Sequence, residues 1–184
     1  TDEVLITLNP RRDATVVTIA ELDFTHFSEV NKEPAIRVVE HYRWVGKKHP
    51  ELYAQLVEIL KNVWRCRRVM VDATGVGEPV ASFLKKALGS RVTPFTFTQK
   101  SKSELGFNLL SAINSGRLTV YKGDGSEEYK DFWEEMARAR SQYRASQKMN
   151  FYVDSGEGHD DFLMSLALAS EAGNSYLPRA ARGG

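Results

Sequence analysis

The order of strand-like and helix-like stretches is the feature that most constrains how this chain can fold. Three runs rich in apolar and β-branched residues come first, at 4–8, 14–22 and 35–45, and the short connector after the first run favours an antiparallel hairpin. From residue 50 onward, short apolar strands alternate with amphipathic helices. This order predicts an α/β fold, in which an antiparallel meander and parallel strands share one mixed sheet flanked by helices.

The alternating part of the chain is interpreted as short strands and amphipathic helices. We expect strands at 69–71, 92–97, 118–120 and 151–153. We expect helices from residue 50 onward and over 78–88, 103–115, 127–143 and 159–172. In the helix over 103–115, the spacing turns four apolar side chains toward the core: Leu105, Leu109, Leu110 and Ile113. We therefore predict one domain over 1–172, followed by a flexible tail at 173–184 that lacks periodicity.

The charge balance and the cysteine content exclude several classes of function. Twenty-five Lys and Arg residues against 24 Asp and Glu residues leave a formal net charge of +1, so bulk charge does not drive nucleic-acid binding, although a local basic surface is compatible with this balance. The single cysteine, Cys66, excludes an internal disulfide and a multi-cysteine zinc site. It fits a reducing compartment, and we expect it to pack as a small hydrophobe.

Several motifs are missing from the sequence. It contains no P-loop pattern, no HExxH and no run of 18 apolar residues, and Gly75–Gly77 lacks the third glycine of a dinucleotide fingerprint. The chain opens on Thr1 with no leader, which suggests a piece of a larger protein. We interpret His26, His41 and His49 as ordinary surface residues.

Three aspartates carry the chemical signal. Asp72 ends a buried strand, and Asp160 and Asp161 open the last helix. Taken singly, they are explained as a turn aspartate and as helix-start residues. Taken together, a strand-end carboxylate and an acidic pair can converge on Mg²⁺ or Mn²⁺, and two such ions about 4 Å apart can activate water against a phosphodiester. The preceding His159 could orient a carboxylate or help with the leaving group, but a loop residue near a helix end is the favoured interpretation.

Three longer stretches are informative when they are taken together with the second strand. They are VMVDATGVGEPV (69–80), FTFTQKSKSELGFNLLSAINSGRLTV (95–120) and GHDDFLMSLALA (158–169), and the second strand is DATVVTIAEL (13–22). In this order they resemble a known family, the C-terminal nuclease domain of the large terminase subunit of tailed double-stranded DNA phages. The resemblance covers nearly the whole chain.

This resemblance implies an RNase H-like fold related to Holliday-junction resolvases. It implies a Mg²⁺- or Mn²⁺-dependent endonuclease that uses two ions and cuts concatemeric viral double-stranded DNA at the start and end of packaging. It also implies an N-terminal ATPase domain on the same polypeptide, the portal protein and the small terminase subunit as partners, and action in the host-cell cytoplasm.

The resemblance also implies a metal site built from aspartates on the first strand, the fourth strand and the last helix. Asp72 matches the fourth-strand position, and Asp160 and Asp161 match the helix. The first-strand position carries Asn9, an amide that keeps a coordinating oxygen and loses the negative charge. Three accounts stay open: an engineered change that disables cutting, a natural variation with reduced or lost activity, or a replacement charge supplied by Asp13.

Several cations are candidate contacts to DNA phosphates. Lys100 and Lys102 follow the strand at 92–97, which places them at the same sheet end as Asp72 if that strand is parallel, and they are the preferred candidates. The alternatives are Lys85, Lys86, Arg138, Arg140, Arg144 and Lys148, and the tail adds Arg179 and Arg182. A solvated surface explains each of these groups equally well.

Two rival functions share the expected fold. In the first, Asn9 has made the site non-cleaving, and the domain only binds DNA or docks on the portal. In the second, the domain is a junction resolvase, which would cut four-way junctions in preference to linear duplex. The order of the motifs favours the terminase nuclease over the resolvase.

Overall fold

The computed structural model describes the backbone of residues 3–10 and the residues 14–25 and 32–175 in full. Its strands are β1 (Glu3–Pro10), β2 (Ala14–Asp23), β3 (Ala35–Val45), β4 (Arg68–Asp72), β5 (Val92–Phe95), β6 (Leu118–Val120), β7 (Arg140–Tyr143) and β8 (Met149–Tyr152). Its helices are α1 (His49–Val57), which continues as a π-helical segment (Glu58–Val63), α2 (Glu78–Leu88), α3 (Gln99–Asn114), α4 (Glu127–Arg138) and α5 (Asp161–Asn174).

Six strands form one mixed sheet in the order β5-β4-β1-β2-β3-β6. Strands β1, β2 and β3 are antiparallel neighbours, whereas β4 runs parallel to β1, β5 parallel to β4, and β6 parallel to β3. Strands β7 and β8 form a separate antiparallel hairpin. The predicted mixed α/β sheet is therefore confirmed, and the carboxyl ends of β1, β3, β4, β5 and β6 all lie at one edge.

Helices cover both faces of the sheet, and each face has its own apolar core. Side chains of β2 alternate between the two cores: Val16 and Ala20 pack with α3 and α5, while Val17 packs with α1 and α2. Helix α5 is buried almost all round, from Asp161 to Ser170, as expected for a helix that is apolar on every side. Cys66 is buried as predicted. None of the described helices is long and apolar enough to cross a membrane.

Helices α3 and α4 differ from their predicted bounds. Helix α4 stops at Arg138, where 127–143 was predicted, because Ala139 is extended and the next residues pair as β7 with β8. Helix α3 begins at Gln99 rather than 103, because Thr98 and Ser101 form a reciprocal capping box that starts the helix earlier. Strand β5 correspondingly ends at Phe95.

Two predictions about helix packing also need correction. Ile113 does not face the core: its side chain is 47% exposed, and Ala112 takes the buried position in the last turn of α3. Helix α5 continues to Asn174, and Gly173 is buried against Ile36 and Leu22, so the first residues assigned to a tail belong to the helix. The remainder of that predicted tail, 176–184, lies outside the described residues, with its two arginines.

His41 was expected at the surface and is instead 2% exposed. Its ring stacks on Phe132, with 4.6 Å between centroids, and meets Phe162 edge-on at 5.4 Å. Its Nδ1 lies 3.2 Å from the Tyr121 hydroxyl. Burial lowers the pKa of His41 to about 4 because the charged imidazolium would lose its hydration. His49 is exposed as predicted, and His26 lies outside the described residues.

We expect this buried histidine to make the protein less stable in mild acid. Its pKa in the unfolded chain is about 6.5 and in the fold about 4, so below pH 6.5 the unfolded state binds a proton that the folded state refuses. The free energy of unfolding should fall by up to about 1.4 kcal/mol per pH unit from pH 6.5 to pH 4, and by roughly 3 kcal/mol in total.

Urea unfolding at a series of pH values measures this effect. The control is His41→Phe, which keeps the ring stack and cannot titrate. The difference in unfolding free energy between the two proteins should change across this pH range. Parallel curves would show that His41 does not carry the effect.

Candidate metal centre

Asp72 lies at the carboxyl end of β4 and is 8% exposed. Met70, two residues earlier, packs in the core beneath α5, so strand alternation places Asp72 on the same face. Its Oδ1 accepts the N–H of Thr74 at 2.7 Å, which is the turn role expected for a strand-end aspartate. A carboxylate has about four acceptor positions, so stabilising this turn is compatible with binding a cation.

The direction of α5 brings its first residues to the Asp72 end of β4. At the other end, the Arg68 guanidinium donates to the Ala172 carbonyl at 3.4 Å and to the Ser175 hydroxyl at 2.9 Å. Arg68 is the first residue of β4. Helix α5 therefore runs antiparallel to β4, and Asp161 lies toward the end of β4 that carries Asp72.

A buried hydrogen bond fixes how far along the sheet Asp161 lies. The Ser165 and Thr18 hydroxyls are 2.8 Å apart, and the register aligns Thr18, through β1, with Met70. Asp161 lies one helical turn before Ser165, about 6 Å. Asp72 lies two strand residues beyond Met70, about 6.6 Å in the same direction. The two aspartates are therefore at the same level on the same face of the sheet.

Position 9 lies at the same level of the sheet as Asp72 and Asp161, and positions 9, 72 and 161 together form the acidic row. In the backbone register, Leu8 pairs with Val71 and Asn9 pairs with Val16, so the next step along the parallel strands aligns position 9 with position 72. The topology thus gathers the first-strand, fourth-strand and last-helix positions named from the sequence. Asp13, the proposed substitute for the missing charge, lies outside the described residues.

Asp160 and Asp161 differ in how deeply their side chains are buried. Asp160 precedes α5, and its carbonyl accepts the N–H of Met164 at 2.9 Å, but its side chain does not cap the helix. Asp161 is 3% exposed, whereas Asp160 is half-buried. Of the two, Asp161 is the residue in the sheet-facing position. His159 is exposed and lines a cavity of about 130 Å³ beside them.

A buried carboxylate that the sequence analysis did not select, Glu135, caps α5. Its Oε1 accepts the N–H of Leu163 at 2.7 Å. The pKa of Glu135 is raised to about 8, because burial and the charges of Asp161 and Asp160 together outweigh the lowering effect of its backbone hydrogen bonds. Because it holds the first turn of α5, Glu135 is a positioning residue for Asp161. The available signal was an acidic residue three positions after Phe132 on the buried side of α4.

The donor set fits a hard divalent cation in chemistry but carries little charge. Carboxylate oxygens are the ligands that Mg²⁺ and Mn²⁺ prefer, and Asp72 and Asp161 both supply them. Within the part of the chain described in full, no three His, Cys, Asp or Glu side chains are grouped to hold a metal ion. Position 9 lies outside the residues described in full, and the amide of Asn9 adds an oxygen donor without a negative charge.

The preferred DNA-contact lysines also lie at this edge. Because β5 is parallel to β4, Lys100 and Lys102, in the first turn of α3, lie on the same edge as Asp72. Lys100 is well exposed and 3.9 Å from Glu104. Lys102 lies 5.4 Å above the Phe151 ring and lines a cavity of about 320 Å³ together with Arg144 and Lys148.

The remaining candidate cations differ in their availability. Lys85 donates to the Val92 carbonyl at 2.7 Å, and Lys86 is exposed on α2. Arg140 forms ion pairs with Asp154 and Glu157, at 3.3 and 3.1 Å, and so stabilises the β7–β8 hairpin.

Solved structures of large terminases share this fold. The large terminase nuclease of thermophilic phage G20c with bound magnesium has a TM-score of 0.67 at 24% identity, over 92% of this chain and 81% of that one. The same nuclease is also known with bound zinc. The Thermus phage P74-26 large terminase nuclease domain gives 0.66 at 22%, over 91% and 78%.

The large terminase of bacteriophage HK97 gives a TM-score of 0.66 at 13% identity, over 94% of this chain and 40% of that one. At these identities the likeness shows the fold. No curated protein sequence matches the chain significantly. Residues 11–172 match the family described as the terminase RNaseH-like domain, and the chain therefore belongs to that family.

Proposed function

We propose that this domain is a metal-dependent endonuclease that cuts double-stranded DNA during packaging of a phage genome. The observation that carries the proposal is the placement of Asp72 and Asp161 at one level on one face of the sheet, in the row of position 9. Membership of the terminase RNase H-like family and the magnesium-bound G20c nuclease support it. Packaging implies the portal, a small terminase subunit and an ATPase as partners, in the host-cell cytoplasm.

Asp72 and Asp161 are the proposed cation ligands, with Asp160 and Asn9 beside them. A pair of Mg²⁺ or Mn²⁺ ions would lower the pKa of a bound water and stabilise charge on the phosphodiester. Glu135 keeps the first turn of α5, and so Asp161, in place. Water adds to phosphorus, and one ester P–O bond breaks.

Lys100 and Lys102 are the proposed phosphate contacts. Their edge carries the carboxyl ends of the parallel strands, so a backbone phosphate bound by them lies next to the acidic row. Arg144 and Lys148 share a cavity with Lys102, and these three cations can bind successive phosphates. Such contacts position DNA without reading its sequence.

Cleavage of supercoiled plasmid with Mn²⁺ or Mg²⁺ tests the function. We expect nicked and then linear DNA in the presence of Mn²⁺, and no conversion in EDTA, because the chain's own donors are carboxylates that need the ion. Cleavage that persists in EDTA would contradict a metal-dependent mechanism.

One observation favours a second candidate, a non-cleaving module that binds DNA or docks on the portal. Position 9 carries an amide. Within residues 14–25 and 32–175, no three His, Cys, Asp or Glu side chains are grouped so that they could hold a metal ion. Duplex binding without cleavage at any Mn²⁺ concentration would favour this module. A preference for four-way junctions over linear duplex would instead favour a resolvase.

A further inference from the structure

A cationic cavity lies at the sheet edge opposite Asp72. It has a volume of about 560 Å³ and is lined by Lys61, Asn62, Arg65, Cys66, Arg67 and Arg91. Arg65 and Arg67 precede β4, and Arg91 directly precedes β5. Because β4 and β5 are parallel, their amino ends share the edge away from the acidic row.

The four cations of this cavity have no acidic partners among the described residues. Lys61, Arg65, Arg67 and Arg91 are all exposed, and none forms an ion pair with any residue that the structure describes. By contrast, the exposed Arg140 pairs with Glu157 at 3.1 Å. No carboxylate of residues 14–25 or 32–175 lines the cavity. In a chain of net charge +1, this is a local concentration of positive charge that an anion would neutralise.

The backbone around the cavity is unusual in two ways. Arg65 has a φ of 51°, a left-handed conformation that a non-glycine residue rarely adopts. It follows the π-helical segment that carries Lys61 and Asn62. The next residue, Cys66, is 1% exposed and donates its N–H to the Leu60 carbonyl at 2.9 Å. Burial of Cys66 fixes the turn, so Arg65 and Arg67 flank a rigid point. Strained backbone and π-helical turns both concentrate at functional sites.

We propose that this cationic cavity binds backbone phosphates of duplex DNA, at a contact separate from the sheet edge that carries Asp72 and Asp161. Guanidinium groups bind phosphate oxygens through two parallel hydrogen bonds. Among the residues that the structure describes in full, no aromatic side chain lines the cavity, so these residues offer a nucleotide base no stacking partner. Apart from Cys66, the described residues of the lining are polar or charged, unlike the apolar centre of a protein interface. The backbone of a nucleic acid therefore fits better than a nucleotide or an acidic protein.

The cavity must contact a different stretch of DNA from the one that is cut. Strand β4 alone puts roughly 13 Å between Arg68 and Asp72, and the cavity lies beyond Arg68. The identity of the ligand as DNA rests on the proposed function, whereas the phosphate chemistry does not.

The test compares duplex binding by the parent and by the triple variant Arg65→Asn, Arg67→Gln, Arg91→Gln. Asparagine tolerates the left-handed backbone at position 65. Binding of a labelled duplex of about 30 base pairs is measured by fluorescence anisotropy in EDTA, where no cutting occurs. We expect the variant to bind at least tenfold more weakly near 0.1 M salt. The slope of log K against log salt should fall by about 2 to 3, one unit per lost phosphate contact.

The matched control is Arg65→Lys, Arg67→Lys, Arg91→Lys, which keeps the charge and should retain most of the affinity. Equal thermal unfolding midpoints show that both variants fold. Unchanged duplex affinity and salt slope in the neutral variant would overturn the proposal. So would tripolyphosphate or polyglutamate binding that needs the three arginines while duplex binding does not.

Plasmid cleavage separates this inference from the proposed function. If the parent protein cuts with Mn²⁺ and the neutral variant binds duplex normally, only the cavity assignment is wrong. If the parent never cuts but binds duplex through the three arginines, the cavity assignment stands and the nuclease proposal is wrong.

Discussion

Replacement of Asp72 by asparagine is expected to lower the rate of Mn²⁺-dependent plasmid cleavage by more than roughly 100-fold, since even supporting residues of metal sites cost 10- to 100-fold when changed. The substitution separates the two roles of this side chain. Its amide oxygen can still accept the N–H of Thr74, now 2.7 Å from Oδ1, so the turn after β4 should persist. What is lost is the negative charge that attracts the cation.

The measurements are the cleavage rate and the Mn²⁺ affinity by calorimetry, both also made in the Asn9→Asp background, where activity should be higher. The control is Asp154→Asn, which removes a half-exposed carboxylate that pairs with Arg140 at 3.3 Å. That variant should cleave like its parent. If Asp72→Asn bound Mn²⁺ and cut DNA as well as its parent, the acidic row would not be the metal centre.

The sheet was predictable because its signals are local. The β-branched runs and their alternation give β2 and β3 directly, and the observed β3 has the predicted bounds of Ala35–Val45. A short apolar strand followed by a turn and a helix indicates a parallel crossover, as the β4–α2–β5 unit shows. From that topology follows the shared edge, which aligns positions 9 and 72, whereas the place of Asp161 depends on how α5 packs on the sheet.

What the sequence did not reveal depends on contacts between distant segments. Glu135 caps a helix that begins 26 residues later, and nothing near Glu135 predicts that partner. His41 occurs in an alternating strand that looks half-exposed, yet α4 and α5 bring Phe132 and Phe162 over it. The cationic cavity combines residues before β4 with Arg91 before β5, which only the pairing of those strands brings together.

The choice between Asp160 and Asp161 shows the same limit. In the sequence, the two are adjacent acids at a helix start, and both are explained by the helix dipole. The Ser165–Thr18 bond of 2.8 Å fixes the rotation of α5 on the sheet. Rotation, in turn, buries Asp161 and leaves Asp160 half-buried. Helical periodicity alone could not supply that rotation, because α5 is apolar on nearly every side.

Restoring an acid at position 9 is expected to strengthen metal binding and cleavage together. The register aligns this position with Asp72 across the β1–β4 pair. Asn9→Asp should therefore add a carboxylate to a row that has too few, raising the Mn²⁺ affinity and the plasmid cleavage rate by roughly 10- to 100-fold. Without metal, the added charge should repel its neighbours. The thermal midpoint should then be lower than the parent's in EDTA and higher in Mn²⁺.

The opposite shifts in EDTA and Mn²⁺ distinguish a metal ligand from a change that merely alters stability. Asn114→Asp, at the end of α3, adds the same charge elsewhere and should not gain Mn²⁺ affinity or cleavage. If Asn9→Asp gave neither tighter Mn²⁺ binding nor faster cutting, position 9 would not belong to the site. Cleavage by the parent would then have to depend on Asp72 and the α5 pair alone, and an inactive parent would be the non-cleaving module.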